Sequence, residues 1–369
     1  MRKRASRNTS RGDHPTPLHE VMSWDDIQPT APMPKKIAER MQNYLYVETQ
    51  GKQPPEIEAV KGSGNVSTWR IPLEEKITKG RLGRFVHQTT PAEMKKKVDA
   101  PDSLDSYRPP WATQTFSPRL APPSEQRWLR RRNGNPVKPA FVYGSYDNRI
   151  VINPTSYPWY LVGTLNVEVA GAFLGHGTGA LVGTNVVLTA SHVFPWFAFL
   201  SGLPWRVTFI AGSYDGVPIM PGMQSDVDGI WGYADYSQGD DMAVLRLHEP
   251  LGETLGFFGY KRYRDDWEDV ARWTHIGYPD AYANGRRPTW QGGIIVYDDD
   301  SDGEGVELEN TADITNGNSG GPLYGYWDHS PRVIGTMSGS ETNPLEGSNN
   351  VAAGGIALSR LIKWGRDNW

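Results

Sequence analysis

The stretch Thr315-Asn316-Gly317-Asn318-Ser319-Gly320-Gly321-Pro322-Leu323 has the residue types for covalent acyl transfer. A serine hydroxyl is a poor nucleophile at neutral pH. It becomes effective beside a base and in front of donors that hold negative charge on the attacked carbonyl oxygen. A glycine two positions before Ser319 lets the backbone turn so that the N–H groups of Gly317 and Ser319 converge on one point, an oxyanion hole. Gly320 and Gly321 keep side chains away from the nucleophile. The base and the acid must come from elsewhere.

Gly-x-Ser-x-Gly also fits the strand-to-helix elbow of α/β-hydrolases, in which acid and base follow the serine. Here Pro322 and Leu323-Tyr324-Gly325-Tyr326-Trp327 read as entry into a strand. The one histidine after Ser319, His329, sits beside Asp328 in a turn, which is poor geometry for a triad. Two upstream stretches are better placed. Val186-Val187-Leu188-Thr189-Ala190-Ser191-His192 is a β-branched strand ending in a small-residue turn with an imidazole at its end. Asp240-Asp241-Met242-Ala243-Val244-Leu245 puts an acid at the mouth of an apolar strand.

With His192, Asp241 and Ser319 in that order, the chain resembles the chymotrypsin-like serine proteases. Leu-Thr-Ala-Ser-His, Asp-Met-Ala-Val and Gly-Asn-Ser-Gly-Gly-Pro stand in the family's sequence. Asn148-Arg149, Tyr157-Pro158-Trp159, Pro250-Leu251-Gly252 and Gly277-Tyr278-Pro279 look like the cysteine-free branch that includes the glutamyl endopeptidases, over residues 142–369. The resemblance implies an all-β fold of two six-stranded antiparallel barrels with a C-terminal helix. His192 and Asp241 would lie in the first barrel and Ser319 in the second. It implies a secreted serine endopeptidase acting on proteins or peptides, without cofactor, as a monomer. The rival is a catalytically silent binding protein of the same fold, whose mark would be a missing triad member; all three are present.

Six residues before Ser319, Asp313 falls where the family places the base of the primary specificity pocket, and an acid there favours Lys or Arg. Glutamate preference is disfavoured, because the branch's substrate-reading histidine would fall near Met337 and its hydroxyl residue at Ile314. Thr315, Ser338, Gly339 and Ser340 are the other implied substrate-binding positions, the last three as a strand that pairs with substrate.

Composition frames these residues. The chain has 369 residues, 40 glycines, 29 prolines and no cysteine, which excludes disulfides and cysteine-ligated zinc. No apolar run is long enough to span a membrane. Met1-Arg2-Lys3-Arg4 starts like a signal peptide, but no apolar core follows. Residues 1–140 carry net charge +10 and residues 141–369 carry −14, so the first part is suited to lie against the second or to remain a solvated arm. The arm lacks the aromatic interleaving of a nucleic-acid platform.

Three segments follow: a basic, loosely structured pro-segment (1–140), a first barrel (141–255), and a second barrel with a helix around Leu358–Trp364 (256–369). Within the pro-segment the pattern predicts a helix from Pro34 to Tyr46 and a capping box at Thr90-Pro91-Ala92-Glu93. Arg130-Arg131-Arg132 is a candidate processing turn, placing the mature start between Asn133 and Tyr143, and the basic segment is expected to inhibit through a salt-sensitive contact. Arg149-Ile150-Val151 resembles the trypsinogen activation site, but Asn318 replaces the aspartate that would receive the freed amine. Cutting there is therefore not expected to order the oxyanion hole.

Asp298-Asp299-Asp300-Ser301-Asp302-Gly303 with Glu309 matches a calcium-loop pattern, D-x-D-x-D-G-x5-E. Strand texture on both sides favours a charged hairpin, with weak Ca2+ binding at Asp298, Asp300 and Asp302 as the alternative. His176, between glycines, reads as a substrate-side residue rather than a base; His87, His248 and His275 read as structural. Asp240 competes with Asp241 for the role of acid.

Overall fold

A computed structural model describes residues 14–42, 44–49, 58–60, 67–72, 85–121, 147–233, 238–302, 304–343 and 347–369. The arginine turn at 130–132 and the expected mature start at 133–143 lie outside these residues.

Six antiparallel strands close the first barrel in the order Trp205–Ala211, Val162–Val169, Ala172–Leu181, Val186–Thr189, Ala243–Leu247, Gln224–Tyr233, with Thr208 to Ile210 pairing back onto Gln224 to Asp226. All four residues of Val186–Thr189 are buried, as a β-branched run with apolar surroundings on both faces requires.

The second unit departs from the expected closed barrel. Its strands form an open, curved sheet in the order Val296–Asp302, Gly305–Asn310, Gly347–Gly354, Ser330–Asn343, Pro322–Trp327, Trp273–Gly277, Thr289–Ile294, Ile150–Val151, and the two ends of this path do not pair. It wraps a separate aromatic core around Trp267, Trp273 and Trp327. The C-terminal helix is longer than expected, Gly355–Asn368, and crosses to the first barrel, where Trp364 stacks on Trp231 at 3.8 Å.

The largest departure lies before residue 122. The expected helix is present as Lys35–Gln42, and the Thr90/Glu93 capping box starts the helix Pro91–Lys97. Yet the described parts of this segment are not loose. Phe85–Thr89 adds a parallel strand to the half of Gln224–Tyr233 that barrel closure leaves unpaired, with His87 against Trp231. Met94, Ala112 and Phe116 are at most 1% exposed and, with Val21, belong to a core cluster that the first barrel shares with Tyr324 and Tyr326 of the second unit. Ser103–Leu104 pairs with Gly259–Lys261 of the second unit, Tyr107 bridges to Phe257, and Ala121 N–H donates to Val151 at 3.1 Å. Too few apolar residues for an independent core are enough for a belt that completes another core.

Candidate active site

Strand register brings the base and the acid together. Ala243 pairs with Thr189, so His192, three residues beyond one strand, and Asp241, two residues before the other, emerge at the same end of the pair. Asp241 is 3% exposed. Its carboxylate accepts His192 Nδ1–H at 2.6 Å, the His192 backbone N–H at 3.0 Å and the Ser338 hydroxyl at 2.7 Å. A ring held through Nδ1–H presents Nε2 as an acceptor. Ser338 reaches Asp241 because it is the extra residue of a β-bulge between Met337 and Gly339. Asp240, the competing acid, is turned away, beside the position a Gly305 side chain would take.

Ser319 arrives from the second unit in a loop clamped to the first. A Cβ on Gly320 would sit 2.1 Å from Thr189 Oγ1 and 2.2 Å from Thr178 O, so only glycine allows this approach at its φ of +84°. The loop's carbonyls are all drawn away from the cleft. Asn316 O accepts from Asp280 N–H at 2.8 Å, Asn318 O from Gly321 N–H at 2.9 Å and Gly317 O from the Thr178 hydroxyl at 2.7 Å. In a trans peptide the N–H points opposite its carbonyl. The N–H groups of Gly317 and Ser319 therefore face the other way, and neither has an acceptor among the described residues. His192 and Ser319 both line a cavity of about 160 Å³, together with Val167, Leu174, Gly175, His176 and Val193. His176 borders it, with its Nε2 2.8 Å from Tyr278 O.

Thr178 was not singled out by sequence pattern. Its hydroxyl donates to Gly317 O and accepts Tyr278 N–H at 3.0 Å, while its own N–H donates to Ser319 O at 2.8 Å. Thr178→Val keeps the shape and removes both hydroxyl contacts. We expect kcat to fall roughly 10-fold, less than the roughly 10²–10³-fold for removing an oxyanion donor outright, while KM changes little; steady-state kinetics on one peptide checks this.

Asp313 does not stand at the base of an open pocket. It is fully buried, and its carboxylate accepts the Asn148 N–H at 2.7 Å. Beside it Arg149, paired with Asp147 at 2.6 Å, donates to Thr315 Oγ1 at 2.9 Å. The uncut segment Asp147 to Arg149 thus fills the space behind the serine loop, because a carboxylate there is better satisfied by a backbone amide than left facing an empty cleft. Gly339 and Ser340 are part-exposed and pair on one side with Val351 and Asn350.

His275 lies beneath the loop, against Gly321, with its Nδ1 3.1 Å from Pro322 O. Burial pushes its pKa down to about 4, so it is neutral under the serine loop. Because the unfolded imidazole binds a proton more readily, this contribution is full above about pH 6.5 and is lost as pH falls toward 4. His275→Gln is expected to flatten the decline of stability over that window, read from urea melts at several pH values.

Asp298, Asp300 and Asp302 lie on a strand of the Val296–Asp302/Gly305–Asn310 hairpin, not on a helix-flanked loop. Burial, followed by its hydrogen bond with Asp299, raises Glu268 beside this strand to about 7. Among the described residues no helix is long and apolar enough to cross a membrane. His329, excluded as a base, packs on Trp24 of the belt at 4.2 Å.

A family model described as Trypsin matches residues 153–364. The chain is 26% identical over 185 residues to a glutamyl endopeptidase of Bacillus licheniformis, covering 50% of this chain and 54% of that protein. It is also 29% identical over 140 residues to a putative uncharacterized transketolase family protein of Sinorhizobium fredii, covering 35% and 44% respectively. The chain spans about half the length of the curated relatives it matches. Among solved structures, a Glu endopeptidase in complex with MPD superposes with a TM-score of 0.47 at 18% identity, over 62% of this chain and all of that one. A thermostable serine protease, AL20, from an extremophilic microorganism gives 0.42 at 14% identity, over 57% and 98%.

Proposed function

Because the chain belongs to the Trypsin family of serine peptidases, we propose that it is an endopeptidase that cleaves peptide bonds through His192, Asp241 and Ser319. Ser319 Oγ attacks the carbonyl carbon while His192 Nε2 takes its proton. The N–H groups of Gly317 and Ser319 hold the oxyanion. Collapse of the tetrahedral adduct breaks the C–N bond, and the proton on His192 passes to the leaving amine. Water, deprotonated by the same nitrogen, then attacks the acyl-serine and returns the hydroxyl. Asp241 keeps the ring in the tautomer that accepts at Nε2, and Ser338 holds Asp241.

The observation that carries this reading is a cavity lined by both His192 and Ser319, with the N–H groups of Gly317 and Ser319 engaging no acceptor among the described residues. Incubation with a mixed peptide library is the test: new internal termini must appear with the native chain and be absent with Ser319→Ala. Removal of terminal residues alone contradicts the endopeptidase reading, and an unchanged library favours the silent binding protein.

The proposal extends to maturation and export. A cut between Asn133 and Tyr143 leaves the belt bound, and no freed amine is needed, since the uncut Asp147 to Arg149 segment already occupies Asp313. None of the described residues before Asp147 lines the cavity beside Ser319. Release outside the cell is checked by fractionating the producing culture.

A further inference from the structure

We propose that the hollow where the belt meets the second unit binds a zwitterionic ligand of short-peptide size, its carboxylate toward Lys261 and its ammonium toward Asp328. The site shares no lining residue with the cavity beside Ser319 and stands whether or not the chain is a peptidase. Three strands build it. Ser103–Leu104 pairs with Gly259–Lys261, and Gly259–Lys261 pairs in turn with the start of Ser330–Asn343. Side chains that are opposite in register, or two apart on one strand, share a face. Lys261 lies opposite Ser103, and Arg332 lies opposite Gly259 and two residues from Ser330, so these side chains project to one side. Gly259 leaves the floor open: a Cβ there would sit 2.5 Å from Leu104 O and 3.0 Å from Arg332 Cγ. The resulting cavity is about 460 Å³, within the roughly 300–1,000 Å³ of small-ligand pockets.

The charges in it select the ligand. Arg332 is already engaged, donating to the Asp105 carboxylate at 3.0 Å, to Leu104 O at 3.4 Å and to the Ser103 hydroxyl. Lys261 and Asp328 line the same cavity, yet they make no ion pair with each other or with any other described residue. One uncommitted charge of each sign is matched by a ligand that carries both. An oxyanion alone leaves Asp328 facing like charge, and a cation alone does the same to Lys261. The buried Arg332 Nε has no acceptor among the described residues, so it can add a donor to the carboxylate.

The walls are fixed in advance of binding. Trp327 lines the cavity while its ring packs on Trp267 at 5.4 Å and Trp273 at 6.1 Å. Asp328 sits in the two-residue turn that joins Trp327 to its partner Ser330, with φ of +46°. The next residue of that turn, His329, is held by the belt, since its carbonyl accepts from Gln114 Nε2 at 2.6 Å and its ring packs on Trp24. A carboxylate held in place loses little freedom on binding.

The test titrates triglycine into the full-length Ser319→Ala chain, in which cleavage is prevented, by isothermal calorimetry. Lys261→Met should weaken triglycine at least about 10-fold, the scale of one hydrogen bond to a charged group, and leave C-terminally amidated triglycine unaffected. Asp328→Asn, which tolerates the positive φ, should weaken triglycine by a similar factor and leave N-acetylated triglycine unaffected. Lys261 is part-exposed and Asp328 exposed, so neither change threatens the fold. Triglycine binding that both variants leave unchanged places the peptide elsewhere, and inorganic phosphate bound as tightly as triglycine reduces the hollow to an oxyanion site. Either result, or no saturable binding at all, overturns the proposal without bearing on Ser319.

Discussion

Ser319→Ala lowers kcat by roughly 10⁶-fold, and His192→Ala by a similar factor, while the double variant loses no more than either, because the groups act as a unit. Asp241→Asn costs less, roughly 10⁴-fold, by disturbing the tautomer rather than removing a reacting atom. Ser319→Ala should alter neither the belt nor the barrel core, so its unfolding midpoint should stay close to that of the native chain. Asp241 differs, since its carboxylate accepts three hydrogen bonds in a 3% exposed position. Steady-state kinetics with a fluorogenic peptide and parallel urea melts separate the two effects. Additive losses in the double variant would show that the residues do not share one step.

Deleting residues 1–121 abolishes soluble folded protein. Phe116 and Met94 are each at most 1% exposed within the core cluster shared by the two units. Truncating residues of these types to alanine costs about 3–5 and 2–5 kcal/mol respectively, against a typical total stability of about 5–15 kcal/mol. The deletion also bares the unpaired half of the Gln224–Tyr233 strand and the face of Trp231, an exposed edge beside apolar surface that favours aggregation. Phe116→Ala is the milder form: a loss of about 3–5 kcal/mol in a urea melt with Ser319 chemistry retained. If the chain is cut within residues 133–143, the two pieces should elute together in native buffer and separate in denaturant. A soluble, active product lacking residues 1–121 would show the belt to be dispensable.

The elements that carry His192, Asp241 and Ser319 were legible because each is a local pattern. Val186 to Thr189 reads as a strand, His192 as the turn at its end, and the glycines around Ser319 as a loop that must approach other backbone closely. What the sequence could not convey depends on partners far along the chain. Phe85–Thr89 is an ordinary strand motif until the vacancy on Gln224–Tyr233 is known. Asp313 has the spacing of a pocket base, but Asn148, 165 positions away, takes up its carboxylate. Thr178 is one hydroxyl residue among small ones, and its importance lies in three contacts that no periodicity encodes. The bulges at Leu174 and Ser338 shift the alternation of strand faces by one residue, so a period-two reading places both side chains wrongly. Closure of the second unit was carried over by resemblance, and only the pairing of strand ends decides it.

Ser319 is expected to be activated, and its oxyanion donors set, in the uncut chain. Treatment of the intact 41.2 kDa protein with a fluorophosphonate, followed by peptide mapping, tests it most directly. Adduct is expected on Ser319 of the uncut band and is lost in His192→Ala. Labelling that appears only after cleavage of the chain, or that persists without His192, would contradict it.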